Sequence, residues 1–328
     1  MEKTVTKKKS GRLFSASLFK QSFKSNWPLW LIMSLGCAAI FVVINVVLGS
    51  KSVFTKIDMS QASTYVKDEG LSWLQILGLL ENMGFSLTRI QTMSRMDLNA
   101  VMNDLVYKIA GVLLPMIYVM ITSNKLIASQ VSDGSMAYVL STPTNRKKVI
   151  FTQLVFLLGS VFAMYIIITV FAISSQAVSA WIIKMNTGNS VDKMYFRTFL
   201  YCLASLCAMI GLSGLCFGAS AYFNKSAQSV AVGGGICVIS FLCCILGLFG
   251  TEAFVSTGIG VQAMGIFNYA SIFTLIDTTS INNFAKAIAG MDATISFNWI
   301  WKNAILIGIG IVGIVIGAIK FEHKDLPL

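Results

Sequence analysis

The chain has almost no charge inside its apolar stretches, only 4 prolines in 328 residues, a single histidine, and none of the short motifs that hold phosphate, zinc or an activated serine. Without GxxxxGK[ST] it has no phosphate-cradling loop of its own. Without HExxH, GxSxG or a nucleophile set beside a histidine, it carries no hydrolytic or metal chemistry of a familiar pattern. His323 lies beyond the last apolar run and reads as a solvated residue. The 7 cysteines (Cys37, Cys202, Cys207, Cys216, Cys237, Cys243 and Cys244) all fall inside apolar runs and form no CxxC pair. They read as small buried side chains rather than as a disulfide framework or metal site.

What is present is apolar. Hydrophobic residues make up 55% of the chain and charged residues 12%, with a mean hydropathy of +0.75, which is the composition of a polytopic membrane protein. Uninterrupted apolar runs of about 20 residues favour helices over a barrel, whose strands would alternate polar and apolar. The expected fold is therefore all-α, with six transmembrane helices at about 28–49, 105–123, 149–173, 198–223, 228–250 and 299–320. Residues 1–27 form a basic tail followed by a short amphipathic helix. There Leu13, Phe14, Leu18, Phe19 and Phe23 alternate with Lys20 and Lys24, a pattern suited to the headgroup region. The apolar run that follows is too long and too late for a signal peptide. Residues 28–328 form the membrane domain.

Three longer segments, 50–104, 174–197 and 251–298, connect the spans on one side. LSWLQILGLL in the first is too short to cross and is expected on the outer surface, as is SSQAVSAWII after the third span. GIFNYASIFTLIDTTSI in the last is expected to dip into the membrane edge. On the other side, fourteen lysines and arginines fall on the terminal segments, the 124–148 loop and the turn at Lys225, against nine on the three long segments. The positive-inside rule puts both termini and that loop in the cytoplasm. It also accounts for the net charge of +11 without nucleic acid as a partner.

Lys108, Lys302 and Lys320 all lie near span ends, and Lys108 is expected to snorkel to the interface. An ion-coupled transporter usually needs an ionisable group or broken helices at mid-membrane, so energy is expected from outside the chain. Gly214 and Gly218, Gly313 and Gly317, and Ala231 and Gly235 have the four-residue spacing that lets helix backbones approach in lipid.

The 124–148 loop is apolar for a loop. Leu126, Ile127, Val131, Met136, Val139 and Leu140 are interrupted by Gly134, stopped by Pro143, and followed by the bases Arg146 to Lys148. This pattern predicts a short helix at the membrane surface, or a rigid lever between two spans. The string from Ile127 to Gln153, IASQVSDGSMAYVLSTPTNRKKVIFTQ, closely resembles the cytoplasmic loop of the type 2 ATP-binding-cassette (ABC) exporter permeases, particularly bacterial six-span subunits. Ala221 to Gly235 resembles that family's hairpin between spans four and five, and NYASIFTLID its outer segment before the last span. Residues 50–104 carry none of the resemblance, and Gln130 stands where the family often has glutamate.

The resemblance implies a permease that pairs with an identical or sister permease and binds two copies of a separate ATPase. That partner would hold ATP and magnesium, leaving no cofactor in this chain. The loop would be a coupling helix, with Ile127, Gln130, Asp133, Gly134, Ser135, Met136 and Tyr138 as its contact residues, and residues 13–27 an elbow helix. The uncharged span interiors suit an amphipathic or hydrophobic cargo such as a peptide, lipid or drug. A non-pumping scaffold or immunity protein that binds peptide, and an ion-coupled transporter, are the alternatives.

Overall fold

The computed structural model describes residues 14–48, 104–141, 145–187, 195–251, 255, 260–290 and 293–324. The basic tail, the segment 50–103 with LSWLQILGLL, and Pro143 lie outside these. No strand occurs among the described residues. Six helices are long and apolar enough to cross a membrane.

The first span is α1, Ala16–Val42, continued by a π-helical turn at Val43–Leu48. The second begins with a π-helical stretch, Asp104–Ala110, and becomes α2, Gly111–Leu126. Two short helices follow, α3 (Ala128–Ser132) and α4 (Ser135–Ser141). The remaining spans are α5 (Arg146–Thr187), α6 (Tyr195–Tyr222), α7 (Ser226–Leu248) and, after the short α8 (Phe267–Ala270) and α9 (Thr278–Ile288), α10 (Asn298–Glu322).

Two expected boundaries do not exist. The amphipathic segment before residue 28 is not a separate helix, because α1 runs unbroken through Pro28. Proline there removes the bond to the carbonyl of Lys24, but the flanking turns hold the helix together. Nor does the helix of the third span stop near Ile173. Residues 174–187 continue α5, since no glycine or proline occurs from Ser160 to Thr187 to stop it. At 1.5 Å per residue α5 is about 63 Å long, roughly twice the hydrocarbon thickness, so part of it projects beyond the bilayer.

Polar side chains stitch α1 to α5 along one seam. Ser22 Oγ donates to Gln153 Oε1, Trp30 Nε1 to the Ser160 carbonyl, and Asn45 Nδ2 to Ser175 Oγ, each at 2.8 Å. The sequence offset stays at 131, 130 and 130 across the three bonds. The two helices are therefore parallel and in fixed register. In lipid such bonds replace the hydrophobic drive that water would supply.

The central helix is α6, buried along most of its length. It packs parallel to α10 through glycines: Cβ atoms added to Gly214 and Gly218 would overlap the backbones of Gly310 and Gly313, and one on Gly211 would lie 2.5 Å from the Leu306 carbonyl oxygen. The other expected small-residue pair behaves differently. Ala231 is exposed and Gly235 has open space beside it. The neighbouring Gly233 and Gly234 are the residues of α7 that face Cys216 and Met120.

Past Gly250 the chain turns back along α7. Asn268 Nδ2 donates to the Gly247 carbonyl and Ser271 Oγ to the Ser240 carbonyl, so the segment descends about two helical turns, or roughly 11 Å, into the bundle. Phe273 and Ile276 at its end are fully buried in the main core. This segment, called re-entrant below, is where a dip into the membrane edge was expected; it packs against protein along α7, a setting in which irregular backbone is tolerated at membrane depth.

Both described ends of the chain meet at one end of the bundle. Ser15 N–H donates to Thr152 Oγ1 near the start of α5. Arg146 Nη1 donates to the carbonyls of Glu322 and Lys324 beyond α10. This end, which also carries α3 and α4, is called the loop end below.

Candidate functional site

The loop between α2 and α5 is a folded unit with a buried face and an exposed tip. The backbone leaves helical geometry at Ile127, where φ is −129°, and the freed Ala128 N–H donates to Ser220 Oγ of α6 at 3.0 Å. Ile127, Val131 and Met136 are each 3% exposed or less. They pack with Leu126, Phe156, Phe217 and Phe321, beside Leu18 and Phe19 of α1. The helix breaks again between α3 and α4 at Gly134, whose φ of +72° is the left-handed conformation that side chains other than glycine adopt at a cost.

The tip that results is polar and ordered by its own side chains. Ser129 Oγ donates to Asp133 Oδ2 at 3.1 Å and Ser132 Oγ to Asp133 Oδ1 at 3.3 Å. Ser135 Oγ donates to the Gln130 carbonyl across the break at 3.2 Å. Asp133, Gly134 and Ser135 are exposed, Gln130 half-buried, and Tyr138 is 81% exposed. The seven residues expected at a partner contact therefore divide. Asp133, Gly134, Ser135 and Tyr138 form a continuous exposed surface with Gln130 at its edge. Ile127 and Met136 do not present one, because the apolar periodicity that singled them out is the periodicity of their packing into the bundle.

The base of this unit is clamped by the C-terminal residues. Besides the Arg146 bonds, Lys147 pairs with Glu322 at 2.9 Å on the surface, and Lys324 Nζ donates to the carbonyls of Ala221 and Phe223 at 3.2 and 2.5 Å. Burial, with the Lys320 charge nearby, pushes the Lys324 ammonium down from 10.5 to about 8. Displacement of α3 and α4 would be carried to α5, α6 and α10 together. The sequence had marked Arg146 to Lys148 only as a basic anchor, and nothing in the pattern signalled Lys324 as a buried donor.

At the opposite end, the Lys108 side chain reaches back toward the start of its span. It pairs with Asp104 at 2.8 Å, with the two side chains 12% and 18% exposed, and Asp104 Oδ1 also accepts from Thr278 Oγ1 at the start of α9. An acid four residues before a lysine was the legible signal for this pair. Next to it Asp277 caps α9 by accepting from Ser280 N–H at 2.9 Å and takes Lys302 Nζ of α10 at 2.5 Å. Burial opposes the Asp277 carboxylate, but the bonds from Lys302 and Ser280 outweigh it and hold the group below its usual 3.8. A cavity of about 230 Å³ opens between Asp104, Lys108, the end of α7 and the re-entrant segment. Among the described residues no group of histidine, cysteine or acid side chains is arranged to hold a metal.

Residues 20–326 match the family model described as ABC-2 family transporter protein. No curated protein matches the chain, and no solved structure does.

Proposed function

The chain belongs to the ABC-2 transporter family, and on that premise we propose that it is the transmembrane subunit of an ATP-driven exporter, with ATP hydrolysed on a separate ABC ATPase. The observation that carries this reading is the loop-end unit: an exposed tip from Asp133 to Tyr138 set on a buried apolar base that is continuous with the spans. A contact that passes force must be stiff on the side of the moving helices and accessible on the side of the motor. Buried Ile127, Val131 and Met136 supply the first property, and Tyr138, Asp133 and Ser135 the second. Tyrosine suits the role because it gives large contact area at little rotamer cost. Gln130, where the family often has an acid, joins this contact as a neutral hydrogen-bonding group.

In this reading the loop end faces the cytoplasm, which the distribution of lysine and arginine supports, and two ATPase copies engage two permeases, identical or sister. ATP-driven closure of the ATPases would move the bundles as rigid bodies about their interface. The exposed faces of α1, α5, α7 and α10 are apolar, which fits a cargo that partitions from the membrane: an amphipathic peptide, a lipid or a hydrophobic drug. The test is to purify the full chain from its native membrane, identify what accompanies it, and assay cargo movement in proteoliposomes. An ABC ATPase in the preparation and transport that needs ATP support the proposal. Transport that survives without ATP and collapses with the proton gradient overturns it, as does binding of cargo with no ATPase and no transport.

A further inference from the structure

The cavity beside Asp104 and Lys108 lies away from the loop end, and it is built around two charges that are partly shielded from water, the Lys108 and Asp104 side chains being 12% and 18% exposed. Removing a carboxylate and an ammonium from water costs several kcal/mol per ion, and apolar side chains of similar volume often stabilise a protein as well as or better than a buried pair. Stability alone is a weak reason for the pair, and the two groups line a void rather than packed protein. Lys108 has three donors, one of which goes to Asp104. Asp104 receives both Lys108 and Thr278 on Oδ1, leaving Oδ2. Thr251, also in the wall, gives its hydroxyl proton to the Leu248 carbonyl, and Thr274 shares its own between the carbonyls of Asn268 and Ser271, so each hydroxyl oxygen keeps lone pairs to offer.

We propose that this cavity binds a zwitterionic group, its anionic part on Lys108 and its cationic part on Asp104 with the two threonine oxygens. A simple anion would sit beside Asp104 and a simple cation beside Lys108, each meeting a like charge at close range in a site of low dielectric. A zwitterion meets an opposite charge at both ends and keeps the site neutral. At about 230 Å³ the space is below the 300–1,000 Å³ usual for drug-sized ligands. It admits a phospholipid headgroup or one end of a small peptide, not a whole cargo molecule. Headgroup and free zwitterion share this chemistry, and the test separates them.

Cys244 lies in the cavity wall and is 5% exposed; in the full chain with its other cysteines replaced it serves as reporter at about pH 9, where more of the reactive thiolate forms. Alkylation of Cys244 by N-ethylmaleimide is followed in nanodiscs of phosphatidylglycerol alone, in discs containing phosphatidylethanolamine, and in phosphatidylglycerol discs with diglycine, glycolate or methylammonium added. At a probe concentration about ten times Kd the rate should fall roughly tenfold. Protection by phosphatidylethanolamine marks a headgroup site and protection by diglycine a site for free zwitterions; either supports the proposal. Lys108→Gln and Asp104→Asn should abolish the protection. Thr251→Val, whose hydroxyl bonds only back to its own chain, keeps the fold intact and should weaken protection several-fold. Equal protection by glycolate or methylammonium, equal rates in every condition, or protection unchanged in Thr251→Val and in whichever charge variant folds would overturn it. The measurement needs no ATPase, so its failure leaves the proposed coupling untouched.

Discussion

Gly214 of α6 and Gly310 of α10 meet backbone to backbone, so closely that a Cβ on Gly214 would overlap the Gly310 carbonyl. Two rigid backbones stand on either side, and neither can yield as a flexible side chain would. Gly214→Leu should therefore cost at least the ~1–3 kcal/mol of ordinary overpacking, read as a lower thermal midpoint and a poor yield of monodisperse protein. Gly308, on α10 but with nothing within 4 Å of its Cβ position, is the control, and Gly308→Leu should leave the midpoint unchanged.

On α7 the prediction runs against the spacing in the sequence. Gly234→Leu meets the Met120 sulfur, 2.8 Å from the added Cβ, whereas Gly235→Leu meets nothing within the chain. Met120 is a flexible side chain that can shift, so the first should lower the thermal midpoint of the isolated subunit by less than Gly214→Leu does, and the second should leave it unchanged. A strong loss in Gly235→Leu measured on dispersed monomer would show that the assignment of faces on α7 is wrong.

These two cases show what the sequence could and could not convey. The six spans were legible because hydrocarbon thickness sets their length, and Gly214, Gly218, Gly313 and Gly317 were legible as small residues at helical spacing. Which helices they join was not, since the spacing is the same for any partner. The continuation of α5 past Ile173 was not legible from length, because hydrocarbon thickness bounds a crossing and not the helix that makes it, and no glycine or proline stops the helix before Thr187. In the loop, apolar periodicity picked out Ile127 and Met136 together with Tyr138. Only their packing divides the buried base from the exposed tip.

The ion pair of Asp277 and Lys302 gives the far end an acid-sensitive joint. The folded carboxylate titrates below its ordinary 3.8, so its contribution is fully present above that value and is lost as pH falls through the lower, folded value. Relative to Asp277→Asn, the native protein should be more stable at neutral pH, and the difference should begin to shrink below about pH 4 and be gone once pH is below the folded value. A difference that does not change with pH would mean that the carboxylate charge contributes nothing.

Lys324 works in the opposite sense. Its folded value of about 8 lies below the ordinary 10.5, so the folded state gives up a proton that the unfolded chain still holds between those values. Stability relative to Lys324→Met should rise as pH increases from about 8 to about 10.5 and level off on either side. Thermal midpoints across that range check it, and a flat difference would contradict the burial of Lys324 against Ala221 and Phe223.

The central claim is that the tip at Asp133 to Tyr138 receives the ATPase while Met136 holds it in place, and Tyr138→Ala tests it most directly. Tyr138 is 81% exposed and Met136 2%. Met136→Ala should lower the thermal midpoint, by the ~2–5 kcal/mol typical of a truncated core side chain. Tyr138→Ala should leave the midpoint unchanged yet weaken association with the ATPase at least about tenfold, or about 1.4 kcal/mol, with a matching loss of cargo-stimulated ATP hydrolysis. Unchanged association and stimulation in a folded Tyr138→Ala protein would contradict the account.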